Sequence, residues 1–317
     1  MRRAHRLDLS GHPRRGKQGR VVTGLQSVAT PPTTPYTPIT ATGPVDVEAG
    51  PLGLVVLNGG GETIAYRAKL GRGGNRLGTL YKVSGKRVLG DLVRYESDNE
   101  PDWVLGHEPT AEEPLKFHSN AWKFTRTRSG GWLVADAAAN DVVRISPSGR
   151  AGLATLLPDN TANGERADGV AGGVVEAPDG TVYIADMGNL KPGISRIWKM
   201  RPGHHPELLV DGLNAIDDLA LDSKGNLVAL SLAGGFQKQG PPKPGAVLRV
   251  DVRTKKVTEI PTGGKLAMPT GRTGPAEYGA ADQGPRPVSA APLGCAAAVR
   301  SAGTACPFEA WCHPARR

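Results

Sequence analysis

Cysteine is missing from almost the whole chain: of 317 residues only Cys295, Cys306 and Cys312 carry thiols, all in the last stretch. A disulfide framework is therefore excluded for the body, and a cysteine-free body folds in either redox compartment. The three thiols, followed by His313, match no C-x2-C zinc pair and have no second half-site. Long apolar runs are also lacking. No stretch of about 18 consecutive apolar residues exists, so no segment spans a membrane as a helix. Helix-favouring composition is scarce as well, because 43 Gly and 27 Pro weaken helix interiors and argue against a bundle or coiled coil. Finally, the body has little net charge. The chain carries +9 overall, but residues 1–20 hold seven basic side chains against one acidic and residues 272–317 hold five against three. That leaves 27 against 26 for residues 21–271. A basic nucleic-acid face on the fold is not indicated. The N-terminal positive charge is followed by no apolar segment of signal-peptide length, so residues 1–18 read as a basic, disordered segment.

What is present is a repeat. Gly130-Gly131-Trp132-Leu133-Val134-Ala135-Asp136 aligns with Gly180-Thr181-Val182-Tyr183-Ile184-Ala185-Asp186, and more weakly with Gly225-Asn226-Leu227-Val228-Ala229-Leu230-Ser231. Gly53-Leu54-Val55-Val56-Leu57-Asn58 is an earlier relative. Each is a glycine turn followed by a short apolar, β-branched run, the pattern of a buried strand. An apolar–basic–apolar strand follows each copy, at Tyr81-Lys82-Val83, Val143-Arg144-Ile145, Trp198-Lys199-Met200 and Leu248-Arg249-Val250. A fourth apolar run comes after each, and another precedes each turn. Four short strands at a period near 50 form a β-propeller blade, whose two faces are buried only against neighbouring blades. Complete units are predicted at roughly 43–96, 117–158, 171–212 and 216–262.

The segment Gly19-Arg20-Val21-Val22-Thr23-Gly24-Leu25 reads as the outer strand of an earlier blade, and Leu266-Ala267-Met268-Pro269-Thr270-Gly271 as the first strand of a later one. Residues 19–271 thus form the predicted propeller, and residues 272–317 a non-repeat, disordered tail. The abrupt change of composition in mid-blade is what shifted reading frames or a misplaced start in a GC-rich gene would produce.

The chain resembles the ScyD/ScyE family of bacterial propellers. The resemblance is carried by Val21–Ser27, by Leu77-Gly78-Thr79-Leu80-Tyr81-Lys82-Val83 with Asp91–Glu96, and by Val134-Ala135-Asp136 continuing through Asn140–Ile145. It implies an all-β, six-bladed propeller (NHL/SMP-30-like) with incomplete first and last blades. It also implies an exported protein, although this chain shows no signal peptide. A monomer is expected.

Asn58, Asp136 and Asp186 end the repeated strand at equivalent positions, where short carboxylates and amides cap turns by accepting backbone N–H groups. Channel-mouth positions just before the innermost strands are better ligand candidates, namely Asp46, His118, Asn120, Asp168, Asn214 and Asp217. Oxygen and imidazole groups from several blades could hold a divalent cation, Ca or Zn, although no cofactor is demonstrable and the set contains no glutamate. Other motifs fail on spacing. Gly59-Gly60-Gly61 and Gly71-Arg72-Gly73-Gly74 fit neither phosphate-loop pattern, so residues 58–77 read as a flexible surface loop. His107-Glu108 lacks a second histidine, and the loop from Asp159 has Val170 where calcium needs a glutamate. Trp122, Trp132 and Trp198 lie in strands and read as packing between blades rather than as base-stacking surfaces. The expected function is a non-catalytic, extracytoplasmic binding or scaffold protein for an unknown small molecule or protein. The alternative is a metal-dependent lactonase or esterase at the channel mouth.

Overall fold

A computed structural model describes residues 22–30, 40–101, 118–162, 164–236 and 242–271. Strands β1 (Val28–Thr30) and β2 (Thr40–Thr42) pair as a short ribbon. Four four-stranded antiparallel sheets follow. The first blade comprises β3 (Pro44–Gly50), β4 (Gly53–Asn58), β5 (Thr79–Lys82) and β6 (Arg87–Asp91). The second comprises β7 (Ala121–Arg126), β8 (Trp132–Asp136), β9 (Asp141–Ile145) and β10 (Ala151–Leu156). A ribbon of β11 (Asn160–Ala162) and β12 (Glu165–Ala167) leads on. The third blade is β13 (Ala171–Glu176), β14 (Val182–Asp186), β15 (Ser195–Met200) and β16 (Glu207–Leu213). The fourth is β17 (Ile216–Leu221), β18 (Leu227–Ser231), β19 (Ala246–Val250) and β20 (Val257–Ile260). Each sheet runs in sequence order, so the arrangement is all-β and propeller-like, and all four predicted units are present.

The strands explain the stacking. In β8 and β14 every residue is buried, yet successive side chains point to opposite faces. Trp132 and Val134 pack with Val55, Leu57 and Leu80 in the seam between the first two blades. Leu133 and Ala135 pack the other way, against Val174, Val182 and Ile184 of the third blade. Tyr183 and Ala185 then meet Ile216, Leu219, Leu227 and Ala229 of the fourth. A strand buried on both faces has no polar alternation, which is why its sequence is a continuous apolar run.

The chain departs from expectation in several places. Residues 22–27 are not a strand. They are tied down by Gln26, whose side chain accepts from the Arg76 amide at 2.6 Å and donates to Asn75 at 3.1 Å. Side-chain bonds to the first-blade insertion thus replace a sheet ladder. That insertion, expected as a flexible loop, contains helix α1 (Ile64–Leu70), capped by the Thr63 hydroxyl accepting from the Tyr66 amide. After β6 comes α2 (Leu92–Asn99), capped by Asp91. The same Asp91 holds Arg67 of α1 in two bonds of 2.9 Å, locking the two helices together. Residues 266–271 do not form the first strand of a later blade. They run without regular structure, held by bonds described below. Among the described residues no helix is long and apolar enough to cross a membrane. The expectations for residues 1–18, for 272–317 with the three cysteines, and for His107-Glu108 lie outside the described residues.

Candidate functional site

Each inner strand carries a β-bulge near its start, seen as a register shift after Pro44, Ala121, Ala171 and Ile216. A bulge re-aims the following side chains. Because the four strands are equivalent, Asp46, Lys123, Gly173 and Asp218 occupy one level around the axis, and Trp122, Gly172 and Asp217 occupy the bulge.

The glycines of the third blade decide what can meet there. A Cβ on Gly172 would lie 2.9 Å from the Ile216 carbonyl, and one on Gly173 would lie 2.8 Å from Asp218 Cα. Backbone cannot yield as a flexible side chain can. Only glycine at both positions lets β17 approach this closely, and that approach carries Asp217 past the third blade to the second. The Trp122 indole N–H donates to Asp217 Oδ1 at 2.8 Å, and the Lys123 ammonium stands 3.7 Å from Oδ2. Lys123 and Asp217 are both buried. The ammonium also lies 5.6 Å from the centre of the Trp122 ring and donates to the Thr270 carbonyl.

Asp46 joins the same centre. Its Oδ2 accepts from the Phe124 amide at 3.0 Å and its Oδ1 from the Val47 amide at 2.9 Å. Glu48 accepts from the Arg126 amide at 3.1 Å, and Glu176 from the Arg128 amide at 2.6 Å. The pattern has a simple cause. An inner strand has a partner on one side only, so alternate N–H groups on its axial edge lack a ladder bond. Carboxylates from the flanking inner strands supply charge-assisted acceptors instead.

Electrostatics follow from this crowding. Burial pushes the Asp46 carboxyl up from 3.8 to about 6, with Lys123 opposing and Asp218 adding to the rise. Burial pushes Asp217 to about 6 in the same way, again against Lys123. Burial would depress the Lys123 ammonium, but Asp217, Asp46 and Asp218 outweigh it and hold the group above its ordinary 10.5. One ammonium therefore offsets the charge of the neighbouring carboxylates of Asp217, Asp46 and Asp218.

The other expected ligands do not gather here. Asn120 Oδ1 accepts from the Gly60 amide at 2.9 Å, at the junction of the first two blades. His118 lies at that junction too. Its neighbour Ser119 exchanges two backbone bonds of 3.0 Å with Glu62, and burial pushes the imidazole down to about 4, so it is neutral at pH 7. Asn214 Oδ1 accepts from the Gly193 amide at 2.8 Å, between the third and fourth blades. Asp168 lies between β12 and β13. Among the described residues no group of three or more His, Cys, Asp or Glu side chains is arranged to hold a metal ion.

The turn-capping expectation matches the geometry at Asp136 and Asp186, whereas Asn58, at the equivalent position, instead donates its side-chain amide to the Gln26 carbonyl at 3.4 Å. Asp136 accepts from the amides of Asn120, Ala138 and Ala139 and from the Ser119 hydroxyl. Asp186 accepts from the amides of Val170 and Gly188 and from the Trp198 indole. At the fourth copy Ser231 inverts the polarity, donating to the carbonyls of Asn214 and Ala233. Trp132 and Trp198 pack between blades, but Trp122 turns to the axis. Sequence reasoning also passed over Lys123 and Asp218. A charged residue standing where sister repeats place Asp46 and Asp218, inside an apolar run, is the signal that could have found Lys123.

No family model matches this chain, and no curated protein matches it. Among solved structures it is similar to a streptogramin B lyase at 14% identity and a TM-score of 0.44, covering 78% of this chain and 62% of that one. It is similar to virginiamycin B lyase from Staphylococcus aureus at 15% identity and a TM-score of 0.41, covering 76% and 62%. A gluconolactonase from Xanthomonas campestris matches at 16% identity and a TM-score of 0.32, covering 48% and 52%. The chain thus spans 62% of the length of the two lyases.

Proposed function

We propose that this chain is a non-catalytic β-propeller of the ScyD/ScyE kind, built on a six-bladed plan. In this reading it works outside the cytoplasm as a monomeric binding or scaffold protein for a small molecule or another protein, not for nucleic acid. One observation carries the reading: the polar groups of the axis serve the protein itself. Asp217 is engaged by the Trp122 indole and the Lys123 ammonium, and Asp46 by the amides of Phe124 and Val47. Asn120 and Asn214 are likewise bonded to backbone amides of neighbouring segments. A hydrolytic centre needs a carboxylate or imidazole that can turn to a cation, a water or a substrate carbonyl. At Asp217 and Asp46 such a turn would leave the buried Lys123 ammonium or Phe124 amide without its carboxylate, at a cost of about 1–3 kcal/mol for each.

The test is thermal unfolding with Ca²⁺, Zn²⁺ and Mn²⁺, together with turnover of simple lactones and aryl esters. No metal-dependent shift and no turnover are expected. A shift of several degrees accompanied by metal-dependent turnover would replace this reading with that of a lactonase or esterase.

A further inference from the structure

We propose that the axis holds an ammonium site which the chain fills with its own Lys123, and that this side chain fastens residues 266–271, the segment after the fourth blade, to the second blade across the axis. The segment is anchored at two ends. At one end, the Gly245 amide donates to the Leu266 carbonyl at 2.8 Å. Leu266 is buried against Val228, Leu230 and Val247, on the face of the fourth blade that points away from the third. Pro269 lies so close that a Cβ on Gly245 would come within 2.6 Å of its Cδ. At the other end, the Thr270 carbonyl accepts from Lys123 of the second blade. The segment after the fourth blade is therefore tied to the second, past the third, whose axial positions are only Gly172 and Gly173.

The receptor is built for an ammonium. It offers a carboxylate at 3.7 Å, a backbone carbonyl and the face of an indole. An ammonium is a compact cation with three rotatable donors on a long stem, which suits three partners from different directions. The same carboxylate is held by the Trp122 indole. The fourth blade is thus fixed through β17 and again through the segment that follows β20. Asp46 brings the first blade to the same charge.

Lys123→Ala in the full chain removes three methylenes and the ammonium, a fragment the size of n-propylammonium. Hydrogen exchange of residues 266–271 and of β17 is expected to quicken about tenfold, the scale of one lost charge-assisted hydrogen bond, with β14 unchanged. Millimolar n-propylammonium restores the protection, and 1-propanol does not. Unchanged exchange in the variant would overturn the proposal, as would equal rescue by 1-propanol, because a filled cavity would then be all that mattered. If Lys123→Ala does not fold, Leu266→Ala serves instead. It loosens the apolar anchor and is expected to shift the Trp122 indole N–H resonance, because Lys123 loses the Thr270 carbonyl. An unshifted resonance in a folded Leu266→Ala protein would count against the fastening.

Discussion

The seams between blades and the axis they surround are built on opposite principles. A seam is apolar and assembled from alternate residues of single strands: Trp132 and Val134 on one side of β8, Leu133 and Ala135 on the other. The axis is charged, and each strand gives it one or two residues that have meaning only beside those of other blades. Seams lower the free energy by removing apolar surface from water, and many residues share the gain. The axis contributes geometry instead. Its carboxylates satisfy edge amides, and its lysine joins blades that do not share a seam.

The sharpest way to break the contrast is to cut a seam. Trp132→Ala should cost about 3–5 kcal/mol of unfolding free energy, read by chemical denaturation, since a fully buried indole leaves a large cavity. An equal loss from any single axial substitution would erase the distinction. Next comes the close approach at the axis. Gly173→Ala places a methyl against the Asp218 backbone and should cost about 1–3 kcal/mol by overpacking. It should also displace the Trp122 indole N–H resonance, because Asp217 is carried away. A stability loss without that displacement would mean that the glycines serve only local packing.

The pH response probes both regions, because buried titratable groups lie at the axis (Asp46 and Asp217) and at a junction between blades (His118). Burial raises Asp46 and Asp217 from 3.8 to about 6. Between pH 4 and 6 the native protein therefore keeps protons that the unfolded chain has released. Stability attributable to this pair falls as pH rises through that window and levels off above it. His118, lowered from 6.5 to about 4 by burial, acts in the opposite sense, and its contribution grows as pH rises across the same range. Replacing His118 with glutamine should steepen the decline, as measured by denaturant midpoints from pH 4 to 7. A flatter profile in that variant would show that the carboxylates do not dominate. The smallest effect is expected at the rim. Val88, Leu153 and Leu208 are exposed apolar residues on the outer strands β6, β10 and β16, and threonine at any of them should change stability by less than about 0.5 kcal/mol.

The seams were legible because a strand buried on both faces announces itself as an unbroken apolar run after a glycine turn, and four copies of that signal recur in order. The roles of Asp136 and Asp186 were legible for the same reason, since a short carboxylate at the end of such a run meets the next turn's amides. The axis was read only in part. Asp46 and Asp217 do share a centre, but His118, Asn120 and Asn214 are spent at junctions between blades. Trp122 looked like a seam residue because the bulge that turns it inward has no signature in a single strand. The helix over 64–70 was hidden in a glycine-rich insertion whose cap, Thr63, is one residue among many polar ones.

By itself the sequence determined the four-strand unit, its number of complete copies and which strands are buried on both faces. Those follow from periodicity over a few residues, where chain geometry dictates direction. The tertiary structure alone decided who meets at the axis. Asp46 and Phe124 are 78 positions apart, Trp122 and Asp217 are 95 apart, and Lys123 and Thr270 are 147 apart. Whether such groups pair depends on how closely neighbouring blades approach, and here two glycines on a third blade set that distance.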